Sequence, residues 1–118
     1  MENERRRFPR NACRLPVRLY PKYEPRVIET LTKDLSLGGL RCLSYQDRPL
    51  GMPLSVELIL EPGERPVTIR GHVAWSHKLQ QSDQFDLGVS FHVFPETDRK
   101  LLSTYLDRIE SLSEVPAV

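Results

Sequence analysis

Five arginines, Arg5, Arg6, Arg7, Arg10 and Arg14, stand within ten positions near the start of the chain, with no acidic residue among them. Further on, Asp34-Leu35-Ser36-Leu37-Gly38-Gly39 places a carboxylate, a hydroxyl and two adjacent glycines where a strand runs into a turn. A plain hairpin needs one or two turn residues and none of this set. Arginine's planar fork pairs bidentately with guanine O6 and N7, binds phosphate oxygens and stacks on base faces. Asp34 can accept from the adjacent N1–H and N2–H donors of guanine, and Ser36 can donate to phosphate or accept from a base. Gly38 and Gly39 are read as positions where the backbone approaches a ligand and takes positive φ. Acceptor, hydroxyl and bare backbone on one side, with arginines on the other, match a guanine nucleotide carrying phosphate.

Catalytic constellations are harder to find. The serines sit in no nucleophile elbow. His72 and His77 are an odd number apart, so on one continuous strand they point to opposite faces, and His92 lies in another segment. None has metal-ligand spacing to a second His or Cys, so the reading is no metal site. There is no phosphate-loop lysine motif and no dinucleotide fingerprint. The chain reads as a binding domain, not an enzyme, with no catalytic residue and no cofactor.

The elements that must position these groups are mostly strands. "RLPVRLY" puts Leu15, Val17 and Leu19 on one face, with Pro16 suggesting an edge or bulge. "RVIETLTKDL" and "LRCLSY" flank the glycines. "LSVELIL" aligns Leu54, Val56, Leu58 and Leu60. "VTIRGHVAW" aligns Val67, Ile69, Val73 and Trp75, and "FDLGVSFHV" aligns Phe85, Leu87, Val89, Phe91 and Val93. The period then changes: Leu101, Leu102, Tyr105, Leu106, Ile109 and Leu112 form one helical stripe over about 96–112. Pro95 suits a first helical position, and Glu96 and Asp98 suit the positive end of the dipole. The expected architecture is all-β: a six-stranded antiparallel barrel closed to hide its edges, with a C-terminal helix over one opening. The expected layout is a flexible Arg-rich segment at 1–14, the barrel at 15–94, the helix at 95–113 and a tail at 114–118.

At 118 residues the chain is one domain with room for a core, and 39% hydrophobic with 28% charged residues makes it globular. A net charge of +1 gives no whole-protein attraction to nucleic acid or membrane. No leader-like or membrane-length apolar run is present, so a cytoplasmic location is expected. Cys13 and Cys42 are read as free thiols in a reducing compartment.

The paired motifs resemble those of the PilZ domain family, receptors for the bacterial second messenger cyclic di-GMP. The family signature, R-x-x-x-R followed by [DN]-x-S-x-x-G, is matched by Arg6-Arg7-Phe8-Pro9-Arg10 and by Asp34 through Gly39. "LPVRL", "RGHVAW", "LGVSF" and an acidic helix start follow in the family's order, from Arg5 to about Ile109. The second motif alone arises by chance in roughly 3% of chains this long, so order and spacing carry the match. The resemblance implies a six-stranded barrel with a C-terminal helix. It also implies cyclic di-GMP contacts from Arg5, Arg6, Arg10, Asp34, Ser36 and Gly39, with Arg7, Gly38 and Trp75 as further contacts. Arg5, just before the first motif arginine, accompanies binding of an intercalated cyclic di-GMP dimer in the family. Trp75 either flanks a base or closes the core. The implied mechanism is a sensor: ligand folds the arginine segment onto the barrel beside Asp34 and Ser36, making a surface for an unidentified downstream protein.

Other readings compete. The arginines alone suit a solvated tail or an unspecific polyanion patch, and the downstream turn favours a ligand. "DLSLGG" also suits an Asx-type turn, which is compatible with binding. A small-barrel binder of single-stranded nucleic acid predicts exposed aromatics on a basic face, whereas Phe85, Phe91 and Trp75 follow the apolar pattern here. A nucleotide-free protein adaptor of the same fold predicts degraded motifs.

Overall fold

The computed structural model describes residues 11–113. Seven strands and one helix follow in order: β1 (Asn11–Ala12), β2 (Pro16–Pro21), β3 (Ile28–Leu35), β4 (Gly39–Ser44), β5 (Pro53–Leu58), β6 (Val67–Lys78), β7 (Phe85–Val93) and α1 (Glu96–Ser113). The sheet runs β3-β2-β5-β6-β7-β4, and β4 pairs back onto β3, closing a six-stranded antiparallel barrel. The two-residue β1 is an addition to the expected six strands. It pairs Asn11 with Leu35 and Ala12 with Asp34, and Cys13 N–H donates to Lys33 O. Residues 11–13 are therefore tied to β3, short of the expected loose segment through 14.

Alternation fills the interior. Val17, Leu19, Val56, Leu58, Val67, Ile69, Val73, Leu87 and Val89 are all buried. Pro16 opens β2, where its missing N–H costs no ladder bond, and β2 is an inner strand between β3 and β5. On α1, Leu102 and Leu106 join the same core and Tyr105 packs against it, while Leu101 faces out. Pro95 sits one residue before the helix, and its carbonyl accepts the first helical bond, from Arg99 N–H.

The first turn of α1 is fastened to the barrel. Buried Asp98 accepts from Thr68 N–H at 2.8 Å and from Arg65 Nη2 at 2.6 Å. Burial alone would raise the Asp98 pKa, but the hydrogen bonds from Arg65 and Thr68, with Arg65's charge, outweigh it and hold the carboxyl below its ordinary value. The expected dipole role for Asp98 is thus accompanied by a tertiary one.

Three β-bulges depart from plain alternation. Thr32 pairs with Cys42 and Asp34 with Arg41, leaving Lys33 extra on β3. Val73 pairs with Val89 and Trp75 with Gly88, leaving Ala74 extra on β6. Arg70 pairs with Val93 and Gly71 with Phe91, leaving His92 extra on β7. Each extra residue resets which face the following side chains take. Val93 is consequently exposed, not aligned with Leu87 and Val89. Trp75 leaves the interior face of Val67, Ile69 and Val73, which corrects its assignment to the apolar pattern. His72 and His77 both face outward, opposite Ser90 and Asp86, because Ala74 intervenes between them.

Candidate functional site

The turn between β3 and β4 is closed by Ser36. Its N–H donates to Gly39 O at 2.9 Å, its hydroxyl donates to the same oxygen at 3.3 Å, and Gly38 N–H donates to Ser36 Oγ at 3.1 Å. Ser36 is buried, so its hydroxyl serves the turn. Gly38 O accepts from Phe91 N–H, tying the turn to β7. The positive-φ glycines among the described residues are Gly51 and Gly63, which corrects the expectation for Gly38 and Gly39. What demands glycine at 39 is proximity: an added Cβ would stand 2.2 Å from Val89 O.

Asp34 faces outward because Lys33 is the bulge residue. Arg41, its cross-strand neighbour, places Nε 3.0 Å from Asp34 Oδ2, an ion pair without aligned hydrogen-bond geometry. Register carries this row onward, with Arg41 opposite Gly88 and Gly88 opposite Trp75. Gly88 lies between the inward-facing Leu87 and Val89, so its missing side chain belongs to the outer surface. The indole of Trp75 covers that gap and stacks on His77 with ring centroids 5.0 Å apart at 26°. Asp34, Arg41, Gly88 and Trp75 therefore form one outward row across β3, β4, β7 and β6, about 14 Å long along the surface. A carboxylate and a guanidinium stand at one end and a flat aromatic ring at the other.

Beside the row, Lys33 Nζ donates to Asp86 Oδ1 at 2.8 Å, and Arg41 Nη1 lies 3.9 Å from Asp86 Oδ2. The four charges, Lys33, Arg41, Asp34 and Asp86, balance. Cys13 lies near the entrance of β2. Burial raises its thiol pKa, a contact with the Thr32 hydroxyl lowers it, and Asp34's charge raises it further, for a net upward shift. Cys42 lies inside the barrel, where burial first and Asp86 second push it up to about 12. Both cysteines are free.

Of the expected site residues, Asp34, Ser36, Gly38 and Gly39 gather at one turn, and Trp75 joins Asp34 through the row. Arg5, Arg6, Arg7 and Arg10 lie outside the described residues. Their nearest described neighbour, Asn11, pairs with Leu35, immediately beside Asp34. Sequence reading missed Lys33, Arg41, Asp86 and Gly88, which look like ordinary strand residues until the register is known. It also missed that His72 meets His92 across β6 and β7, with ring centroids 4.5 Å apart. Among the described residues no three His, Cys, Asp or Glu side chains gather as a metal site, and no helix is long and apolar enough to cross a membrane.

Two concavities lie elsewhere. A groove of about 470 Å³ runs between α1 and the turn before β6, and a hollow of about 560 Å³ lies over β2, β5, β6 and β7. Neither includes Asp34, Arg41 or Trp75.

No curated protein matches the chain significantly. Solved structures do share its fold. The inhibitor of motility MotI/DgrA of Bacillus subtilis superposes with a TM-score of 0.77 at 19% identity, over 93% of this chain and 52% of that one. The PilZ domain of Escherichia coli YcgR with c-di-GMP gives 0.70 at 17% identity, over 92% and 94%. The K. pneumonia MrkH–c-di-GMP complex gives 0.68 at 17% identity, over 95% and 56%. The chain thus spans about half of the Bacillus and Klebsiella proteins and nearly all of the isolated YcgR domain. The model of the PilZ domain matches residues 4–108. With that match over most of its length and a closed barrel of the same architecture, the chain belongs to the PilZ domain family.

Proposed function

We propose that this PilZ domain is a cyclic di-GMP receptor that works by binding, without catalysing a reaction. The observation that carries the proposal is the convergence at Asp34. The second motif, the Arg41 ion pair, the Trp75 row and the β1 strand, which follows Arg10 directly in the sequence, all meet there. Two relatives of the same fold, YcgR and MrkH, are described in complex with c-di-GMP, which supports the ligand class.

In this reading Asp34 accepts from the N1–H and N2–H groups of a guanine. Arg6 and Arg10 hold guanine edges and phosphates, and Arg7 adds a phosphate contact. Ser36 keeps the turn in shape, and the peptide groups at Gly38 and Gly39 line the ligand. Trp75 flanks a base. Arg5 favours an intercalated ligand dimer. Binding clamps residues upstream of β1 onto the outer row, and the resulting surface of protein and ligand is what a downstream partner reads. Ordering that segment costs conformational entropy, which the charge-assisted contacts must exceed. The proposal places the chain in the cytoplasm, consistent with its two unpaired cysteines.

Calorimetric titration with cyclic di-GMP, beside Arg10→Ala and Asp34→Ala, tests this. Saturable binding at about two ligands per chain, lost in both variants with their melting temperatures near wild type, is the expected outcome. Binding at about one ligand per chain removes the dimer. No binding removes the receptor reading and leaves a protein adaptor of the same fold.

A further inference from the structure

The surface beside Asp34 carries its own counter-ion. Asp86, on β7, is two residues along the same outer face from Gly88, so its Cα stands about 7 Å from the seat of Trp75. It holds Lys33 Nζ at 2.8 Å and draws one Arg41 nitrogen to 3.9 Å, while Asp34 holds the Nε of the same guanidinium at 3.0 Å. Lys33 and Asp34, adjacent in sequence, share the outer surface because Lys33 is the bulge residue of β3. Without the bulge it would point opposite to Asp34. The side chain of Asp86 is 15% exposed, against 33% for Lys33 and 37% for Arg41. The anion is therefore the better-shielded member of the cluster, and the cations are the accessible ones.

Exposed pairs of this kind add little to stability. Their effect on an incoming anion is larger. A phosphate reaching this row meets two cations whose charge is already matched by Asp34 and Asp86. Asp34 has a role in recognising guanine in the proposed site. The proposed site gives Asp86 no guanine contact, so toward a phosphate it adds repulsion and competition.

We propose that Asp86 is a built-in competitor of the ligand's phosphates. It neutralises Lys33 and Arg41 when the row is empty and releases them to the ligand on binding, so that it sets the affinity below what the same surface would reach without it. This rests on the receptor reading above. A unit charge at about 7 Å, in the intermediate dielectric of a half-exposed surface, corresponds to roughly a three- to tenfold change in affinity.

The test is calorimetric titration of the full chain with cyclic di-GMP at low and moderate salt, using wild type, Asp86→Asn, Asp86→Glu and Lys33→Gln. A D86K-type reversal is unnecessary, since the neutral variant isolates the charge. The expected result is D86N binding about three- to tenfold tighter than wild type, with a steeper loss of affinity as salt rises. D86E, which keeps the charge, stays near wild type and serves as the folding control. Lys33→Gln, which removes a cation the ligand would meet, weakens binding modestly alone and removes much of the gain when combined with D86N. Affinity in D86N equal to or weaker than wild type, with D86E normal, overturns the competitor role. Failure of wild type itself to bind overturns the receptor reading instead, and that result is visible before any variant is made.

Discussion

The indole of Trp75 occupies the space that a side chain at position 88 would need: a Cβ on Gly88 would stand 2.2 Å from Cε2 and 2.4 Å from Nε1. Two residues on neighbouring strands thus share one side chain's volume on the outer face. Gly88→Ala must swing the ring away. We expect a loss of roughly 1–3 kcal/mol in stability from the forced repacking, and a loss of about tenfold or more in cyclic di-GMP affinity. Trp75 is the sole tryptophan, so its emission reports the event directly. The variant should fluoresce to the red of wild type, and ligand should change its intensity less. An unchanged spectrum and affinity would mean that the ring's seat is irrelevant to binding.

Gly39 makes a different demand. Its added Cβ would meet backbone, Val89 O, at 2.2 Å, and backbone cannot rotate aside. Gly39→Ala should pry β4 from β7 at the turn and cost roughly 1–3 kcal/mol or more. Urea denaturation checks this. A midpoint within error of wild type would place the glycine requirement on the ligand rather than on the fold.

Asp98 and Arg65 are partners of unequal worth. Removing Asp98 leaves Thr68 N–H without its acceptor, so Asp98→Ala should cost roughly 1–3 kcal/mol at neutral pH. Arg65 is largely exposed, and Arg65→Ala should cost far less than Asp98→Ala. The acid dependence follows from sign. The folded carboxyl has a pKa below its ordinary 3.8, so its stabilisation is complete above that value and is lost as pH falls through the lower, folded value. The gap between wild type and Asp98→Asn should therefore narrow below about pH 3.8 in thermal melts. A gap that stays constant down to strong acid would rule out the charged form as the stabilising one.

The thiols should differ in reactivity. Cys42, at about 12 and buried, should resist a disulfide reagent at pH 8 until the barrel unfolds, whereas the half-buried Cys13 should react slowly in the native state. Because the unfolded Cys42 thiol ionises near 9, its neutral burial stabilises the fold fully below that pH and loses effect between about 9 and 12. Rapid modification of both thiols in the native protein would show that the barrel opens readily.

Much of this was legible beforehand. The six long strands, the closed barrel and the helix followed from alternation and from the switch to a 3.6-residue period at Leu101. The gathering of Asp34, Ser36, Gly38 and Gly39 followed from their adjacency. What alternation cannot carry is an inserted residue. Period two has no memory across a bulge, so Ala74 reverses the reading of Trp75 and His77, and His92 reverses that of Val93. Arg41, Asp86 and Gly88 were hidden for a related reason. Each is unremarkable in its own strand and acquires meaning only from the cross-strand neighbour that register supplies.

The short β1 ladder has a kinetic and thermodynamic consequence for the first motif. Arg10 and Asp34 are 24 positions apart in the chain, yet Arg10 is bonded to a residue hydrogen-bonded beside Leu35. In the proposed site the arginines therefore meet a ligand on the Asp34 row as an intramolecular reactant. Covalent attachment within a few positions of Asn11 gives them an effective concentration of the order of millimolar or above. A peptide carrying only residues 1–10, added in trans to a chain beginning at Asn11, would have to be supplied at comparable concentration to restore what the two-residue strand provides by attachment.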